Sequence, residues 1–290
     1  MPKGMGNLTS LQTLHAFLVD GEDGCRIVEL KNMNYLSGAF CISRLENVLN
    51  SEEAKEAALS DKQYIDKLEL RWSDLRNEEA VKEEEVLEFL QPHSGPKELE
   101  ILFYRGSKLP SWISNPSFAM LANITFYKCT NCRYLPLIGE LPALKRFSIF
   151  EMNTVKRINH QFLRKDTTQG HHAFPRLERL AIDVMLNLEQ WIGVENGDFP
   201  CLHKFTLEYC PKLVALPSFS SIKSLKHLEI NYCPKLLSLP EEGLPSSVDF
   251  LVIRGCPALM ERCRKGEGED WGKIAHVPSI RIDNQEISSS

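Results

Sequence analysis

The sequence predicts an α/β solenoid: a horseshoe of stacked repeats with a parallel concave sheet and short helical or irregular convex segments. Three observations predict it: a recurring apolar motif, a nearly regular spacing of its instances, and a Cys or Met that closes each one. The motif has apolar residues at relative positions 1, 4 and 6 and the Cys or Met at position 9. Six instances begin at these residues: Leu121, Leu144, Leu177, Leu202, Leu225 and Val248.

Successive instances begin 23, 33, 25, 23 and 23 residues apart. Such spacing is typical of leucine-rich repeats, in which each unit contributes a short strand and a return segment. A solenoid buries its repeats against their neighbours and offers its concave strand face to partners. Prolines in the return segments favour irregular or 3₁₀ structure there over long helices.

Residues 1–120 are predicted to be irregular leucine-rich repeats with helical insertions. Asn50 caps a helix predicted over 50–62, because Glu53 follows it at the spacing of a capping box. A second helix is predicted over 78–90. Three consecutive glutamates of that helix are expected to face water: Glu83, Glu84 and Glu85.

Residues 121–283 are predicted to be regular repeats that end in a C-terminal cap, and 284–290 a disordered tail. Counting the apolar pattern back to the N-terminal third, strands are expected near 40, 68, 99, 124, 147, 180, 205, 228 and 251, with a last strand at 280–282. The 33-residue gap contains the polar, Gly-containing stretch 161–172, which is expected to be an exposed loop.

The composition is that of an ordinary soluble protein, with 43% apolar and 25% charged residues. The net charge of −5 lacks the excess of positive charge that is typical of nucleic-acid-binding proteins. Nine cysteines, an odd number, favour reduced thiols. No secretory signal and no apolar run of membrane-spanning length is found. We therefore expect a cytoplasmic or nuclear location, no membrane span and no nucleic-acid partner.

The closing positions of the motif are predicted to form a structural ladder beneath the sheet. They are Cys129, Met152, Met185, Cys210, Cys233 and Cys256. Cys129 and Cys132 have the spacing of a zinc or redox pair, but no second pair follows, and repeat phase accounts for both. The segment GEGEDWGK at 266–273 fails as a phosphate loop because its spacing is one residue short and it is rich in acids. We expect no metal, no cofactor and no catalytic residue, hence not an enzyme.

Side chains alternate along a strand, so residues between the buried ones should point away from the core. One outward column contains four consecutive basic or protonatable residues, predicted to bind a partner: Arg146, Arg179, Lys204 and His227. A second column is also predicted to bind a partner: Tyr127, Phe150, Asp183, Glu208, Asn231 and Arg254. The alternative is an ordinary solvated surface with cross-strand pairs such as Lys204 with Asp183.

Segments distributed along the whole chain also resemble a known family. They include MPKGMGNLTSLQTL at 1–14, LQPHSGPKELEILFYRGSKLPSWI at 90–113 and RGCPALMERCRKGEGEDWGKIAHVPSIRID at 254–283. They resemble the leucine-rich repeat region of plant intracellular nucleotide-binding leucine-rich repeat disease-resistance proteins of the coiled-coil class.

The resemblance implies a non-enzymatic recognition solenoid in plant defence. It would sense a pathogen effector or a guarded host protein and regulate a nucleotide-binding switch. This sequence contains no phosphate-binding loop, and it begins inside a repeat, so we expect the switch to lie on another part of a larger receptor. The alternative is a cytosolic leucine-rich repeat scaffold or substrate adaptor outside immunity.

Overall fold

The computed structural model describes residues 1–21, 24–74, 80–165, 172–219, 222–283 and 285–288. Its main feature is one twelve-stranded sheet in which neighbouring strands are parallel, except for the last pair. The first strands of the chain are β1 (Ala16–Leu18), β2 (Ser37–Ser43), β3 (Tyr64–Arg71), β4 (Glu98–Leu102), β5 (Asn123–Tyr127) and β6 (Arg146–Phe150). The remaining ones are β7 (Arg157–Ile158), β8 (Arg179–Asp183), β9 (Gln190–Trp191), β10 (Lys204–Glu208), β11 (His227–Asn231), β12 (Phe250–Arg254), β13 (Ser279–Ile282) and β14 (Gln285–Ser288).

Every strand position expected from the repeat lies within a strand, which confirms the solenoid prediction. In each five-residue strand from β4 to β12 the second and fourth residues are buried, as in β10 with Phe205 and Leu207. The short strands β7 and β9 pair separately, away from the main sheet. The main sheet continues across residue 120, because β4 pairs in register with β5.

A left-handed residue follows most of the central strands and turns the chain out of the sheet. The residues with positive φ at this position include Lys128, Glu151, Val184, Tyr209 and Tyr232. Such a backbone is uncommon for residues other than glycine. Its recurrence one residue after the strand indicates that the repeat imposes it, since four different types of side chain adopt it at these five positions.

The helices are short: α1 (Ser51–Glu56), α2 (Ala80–Phe89), α3 (His160–Leu163), α4 (Pro257–Arg262) and α5 (Trp271–Ile274). In α1, the Asn50 side chain accepts a hydrogen bond from the Glu53 amide, as its capping role requires. The helix ends earlier than expected because Ala58 adopts a left-handed conformation, and a 3₁₀ turn, Leu59–Asp61, follows. Residues 75–79, which include the expected start of the second helix, lie outside the described residues.

The expectation that Glu83, Glu84 and Glu85 all face water is wrong for Glu83. Its side chain is only 6% exposed, and its carboxylate accepts the Arg105 amide at 2.8 Å. Glu84 likewise accepts the Ser107 amide, and only Glu85 is fully exposed. The acidic helix is held against the loop after β4 because that irregular loop leaves amides that need acceptors.

The expectation of an exposed loop over 161–172 is wrong at its start. Residues 161–163 belong to α3, in which Phe162 and Leu163 are buried, while 166–171 lie outside the described residues. Phe162 packs between Phe147 and Phe174, with ring centroids 5.7 and 5.1 Å away. The insertion therefore contributes an aromatic side chain to the core rather than only a surface loop.

The expected disordered tail, 284–290, also differs from the structure. Residues 285–288 form β14, which pairs antiparallel with β13. Asn284 and residues 289–290 lie outside the described residues. The physical reason for the strand is that β13 would otherwise present an unpaired edge at this end of the sheet.

Candidate functional site: the outward face of the sheet

The two outward columns lie in register across the central strands. Arg146 pairs with Arg179, which pairs with Lys204, which pairs with His227. Adjacent strands lie about 4.8 Å apart, so these side chains are near neighbours. The sheet thus brings together four residues that are up to 81 positions apart in the sequence.

The four residues of the basic column divide into two halves, and only one half has a carboxylate partner. The Lys204 ammonium lies 2.8 Å from Glu229, and the His227 ring bonds the same carboxylate oxygen. Burial acts to raise the pKa of Glu229, but the hydrogen bonds from Lys204 and His227 outweigh it and lower that pKa below its usual value. Lys204 therefore pairs with Glu229 rather than with Asp183, and this half of the column is largely neutralised.

Arg146 and Arg179 form the other half. Both side chains are exposed, and neither guanidinium forms an ion pair within the described parts of the chain. The residues two positions further along their strands are small, Ser148 and Ala181. The two guanidinium groups therefore lie next to small side chains and have no ion-pair partner there, so the acidic groups of a partner can reach them.

The second column carries aromatic side chains at the opposite end of the strands, about 13 Å along β6 from Arg146 at the usual rise per residue. Tyr127 and Phe150 stack with their centroids 4.8 Å apart and their planes 6° from parallel. Phe103 packs edge-on against Tyr127 at 5.4 Å, and the Lys128 ammonium lies over both rings. Half-buried aromatic rings and exposed arginines are both residue types that protein interfaces favour.

The second column becomes acidic further along the sheet. Asp183 and Glu208 lie side by side in register. Burial and the neighbouring Glu208 charge raise the pKa of Asp183 above its usual value. The expectation that Asn231 points outward is not met in full, because its side chain is only 4% exposed; Arg254 is half-buried.

Two features of this face were missed by sequence reasoning. One is the middle column, whose members across β5 to β11 are Thr125, Ser148, Ala181, Thr206 and Glu229. The other is the exposed stack of Tyr209 on Tyr232, with centroids 4.5 Å apart. Strand alternation was a sufficient signal for the middle column, whereas the tyrosine stack depends on the left-handed turn after each strand.

The structural ladder lies on the opposite, buried side of the sheet. All six of its residues are buried. The Cys210, Cys233 and Cys256 thiols lie within hydrogen-bonding reach of the carbonyl two residues earlier, at 3.5, 3.3 and 3.2 Å. Cys129 lies 3.5 Å from the Ile101 carbonyl of the previous repeat, and Cys132 lies 3.3 Å from that of Gly106. The thiols thus donate hydrogen bonds to carbonyl groups that the turns would leave unpaired.

Thiol labelling should separate the buried cysteines from the accessible ones. Burial raises the pKa of Cys129 to about 12, and burial and Glu69 raise the pKa of Cys41 to about 12. We expect one fast-reacting thiol in the native chain, that of the half-buried Cys201, and nine in guanidinium chloride, by reaction with Ellman's reagent at pH 8. Fast reaction of several thiols in the native protein, or fewer than nine on unfolding, would contradict this assignment.

Within the described ranges, no group of three or more His, Cys, Asp or Glu side chains is placed to hold a metal ion. No helix there has the length and apolar character that a membrane crossing requires.

Comparison with known proteins gives a consistent result. The family model for the R13L1/DRL21 leucine-rich repeats matches residues 27–152. The chain is 36% identical over 226 residues to the Solanum bulbocastanum disease resistance protein RGA1, and 35% identical over 231 residues to RGA4 of the same species. These alignments cover 78% of the chain and 22% and 23% of the two relatives. It is 34% identical over 218 residues to the Arabidopsis thaliana disease resistance RPP13-like protein 1, covering 70% of the chain and 21% of that protein. The chain thus spans about a fifth of the length of these relatives.

Proposed function

We propose that this chain, which belongs to the leucine-rich repeats of plant disease resistance proteins, recognises a pathogen effector or a guarded host protein on its concave sheet. The observation that carries the proposal is the pair Arg146 and Arg179, which lie unpaired on the central strands, with the stacked Tyr127 and Phe150 at the opposite end of the neighbouring strands. Most other basic residues of the concave sheet are compensated. Lys67, for example, pairs with Glu98 and Glu100.

The two columns also support a specific orientation of the ligand. Arg179 and Asp183 occupy the two ends of β8, about 13 Å apart at the usual rise per residue. An acidic group of the ligand would face Arg146 and Arg179, and a basic group would face Asp183 and Glu208. Opposite charges at both ends would fix the direction in which the ligand lies.

In a full receptor, the same repeats would contact a nucleotide-binding module and regulate its switch. We place this recognition in the cytoplasm or nucleus, where the nine free cysteines would stay reduced. The proposed function requires no catalytic residues, because binding of the ligand alone can transmit a signal to the nucleotide-binding switch.

Reversal of the two central charges tests the concave surface. A two-hybrid screen of cloned pathogen effectors and host proteins would supply a binder, whose affinity is then titrated calorimetrically at several salt concentrations. For R146E/R179E we expect at least about tenfold weaker binding and a flatter salt dependence, because a charge pair at each position is replaced by repulsion.

The matched control is R176E, an exposed arginine in the turn before β8 that lies off the outward columns. Its affinity should equal that of the unmodified chain. Binders whose affinity is unaffected by R146E/R179E would remove the concave arginines from the recognition surface.

A further inference from the structure

A second surface lies away from the outward face, on the flank of the solenoid beside its longest repeat. A cleft of about 690 Å³ opens there, and its charged lining comes from three successive repeats. Arg133, Lys156 and Glu189 each follow a buried anchor residue at the same phase of the repeat. Lys156 belongs to the 33-residue repeat.

The backbone that holds the cleft is firmly placed. Lys156 accepts the Glu189 amide at 2.8 Å, and β7 aligns Arg157 beside Gln190 of β9. The anchor residues Cys132 and Val155 are fully buried. The charged side chains therefore project from rigid turns.

The charges of the cleft are unbalanced. Arg133, Lys156 and Arg157 face a single carboxylate, that of Glu189, and all four side chains are exposed. None of the three cations forms an ion pair within the described parts of the chain, whereas elsewhere Lys145, Lys165 and Lys226 have carboxylate partners. An excess of positive charge at one cleft of a chain with net charge −5 points to an anionic ligand.

We propose that this cleft binds a ligand through its phosphate groups. Guanidinium groups present paired donors that match phosphate oxygens, and two of the three cations are arginines. Tyr134, which is 69% exposed, adds a phenol that can donate to a further oxygen. Three cations and the one carboxylate of Glu189 leave an excess of two positive charges in the cleft. A phosphate carries about 1.5 to 2 negative charges at neutral pH, so it compensates this excess better than a carboxylate would.

The size of the cleft suits a compact ligand. Small-molecule sites commonly enclose roughly 300 to 1,000 Å³, and this cleft lies within that range. The phosphate can belong to a free polyphosphorylated compound or to a phosphorylated side chain, since both present the same oxygens. This site is separate from the concave arginines and does not depend on the recognition function proposed above.

The probe is sodium tripolyphosphate, titrated calorimetrically into the whole chain at constant ionic strength. We expect saturable binding that becomes at least about tenfold weaker in R133Q/R157Q, because each lost guanidinium removes charge-assisted hydrogen bonds. The matched control is R176Q/K223Q, which removes the same charge from two exposed turn residues outside both surfaces and should leave tripolyphosphate binding unchanged. Circular dichroism verifies that both variants are folded.

Two further titrations define the ligand class. Citrate, a polycarboxylate, should bind at least about tenfold more weakly than tripolyphosphate if phosphate geometry is recognised. A short phosphoserine peptide, its unphosphorylated form and tripolyphosphate are compared to identify the source of the phosphate. If the phosphopeptide binds more tightly than both other ligands, the source is a phosphorylated protein. If tripolyphosphate binds more tightly than the phosphopeptide, the source is a free compound.

The proposal is overturned if tripolyphosphate does not bind at millimolar concentration, if R133Q/R157Q binds it normally, if R176Q/K223Q weakens binding equally, or if citrate binds as tightly. None of these outcomes bears on protein recognition by the concave sheet, which R146E/R179E tests separately.

Discussion

Replacing Asp270 by asparagine should lower the free energy of unfolding by about 3 kcal/mol, since it removes a buried anion that joins the C-terminal cap to the last regular repeats. Asp270 is 0% exposed. Its carboxylate accepts the Leu239 amide at 2.9 Å and pairs with Arg262 at 3.1 Å and Lys273 at 3.0 Å. Without that charge, two cations would face each other next to a buried amide.

The same site predicts part of the acid sensitivity. Burial acts to raise the pKa of Asp270, but hydrogen bonds from Arg262, the Leu239 amide and Lys273 outweigh it and lower that pKa below its usual value. A carboxyl whose pKa is lowered on folding stabilises the protein above its unfolded-state pKa, and this contribution is lost as the pH falls through the folded-state value. D270N should therefore show a smaller loss of stability on acidification below about pH 4.

Urea unfolding followed by circular dichroism at pH 7 and at pH 3 measures both effects. The matched control is E269Q, because Glu269 is the adjacent acid, contacts the same Arg262, and is 74% exposed. It should change the stability by less than about 0.5 kcal/mol. Equal stabilities of D270N and E269Q would show that Asp270 does not join the cap to the repeats.

Replacing Glu83 by glutamine should stabilise the protein above pH 7 by about 2–3 kcal/mol. Burial raises the pKa of Glu83 to about 7, although the hydrogen bond from the Arg105 amide and the Arg105 charge oppose the change. Glutamine keeps a carbonyl oxygen that can accept the Arg105 amide, and it cannot acquire a buried charge.

The sign of the pH dependence follows from the raised pKa. Below the ordinary glutamate pKa both states of the chain are protonated, and the wild type has its full stability. As the pH rises to about 7 the unfolded chain releases the proton while the folded chain keeps it, so the stability of the wild type falls. E83Q should lack this decline and should match the wild type near pH 4.

Urea unfolding between pH 4 and pH 8 measures the difference, with E85Q on the exposed face of the same helix as control. E85Q should follow the wild-type profile to within about 0.5 kcal/mol at every pH. A parallel pH profile for E83Q and the wild type would contradict the buried, protonated state of Glu83.

Repeat phase was sufficient to locate the main-sheet strands from β2 to β13 and the residues that they bury, but it did not reveal the separate pair β7 and β9. The reason is that a parallel strand in a solenoid repeats the same environment at every turn, so one motif reports on all of them. The same phase placed Cys129 in the ladder, Cys132 at a buried position of the repeat, and the two outward columns on the open face. It could not assign Glu83, because the partner of that carboxylate is an amide 22 residues away in an irregular loop.

The sequence by itself determined the repeat, its register, the buried ladder and the side of the sheet on which ligands are expected, since alternation and periodicity are local properties of the chain. Only the tertiary structure decided which of the outward charges are free. Glu229 contacts both Lys204 and His227, whereas Arg146 and Arg179 have no carboxylate partner in the described parts of the chain. Charge pairing depends on distances between side chains of different repeats, and a repeat motif contains no information about the residues at its variable positions.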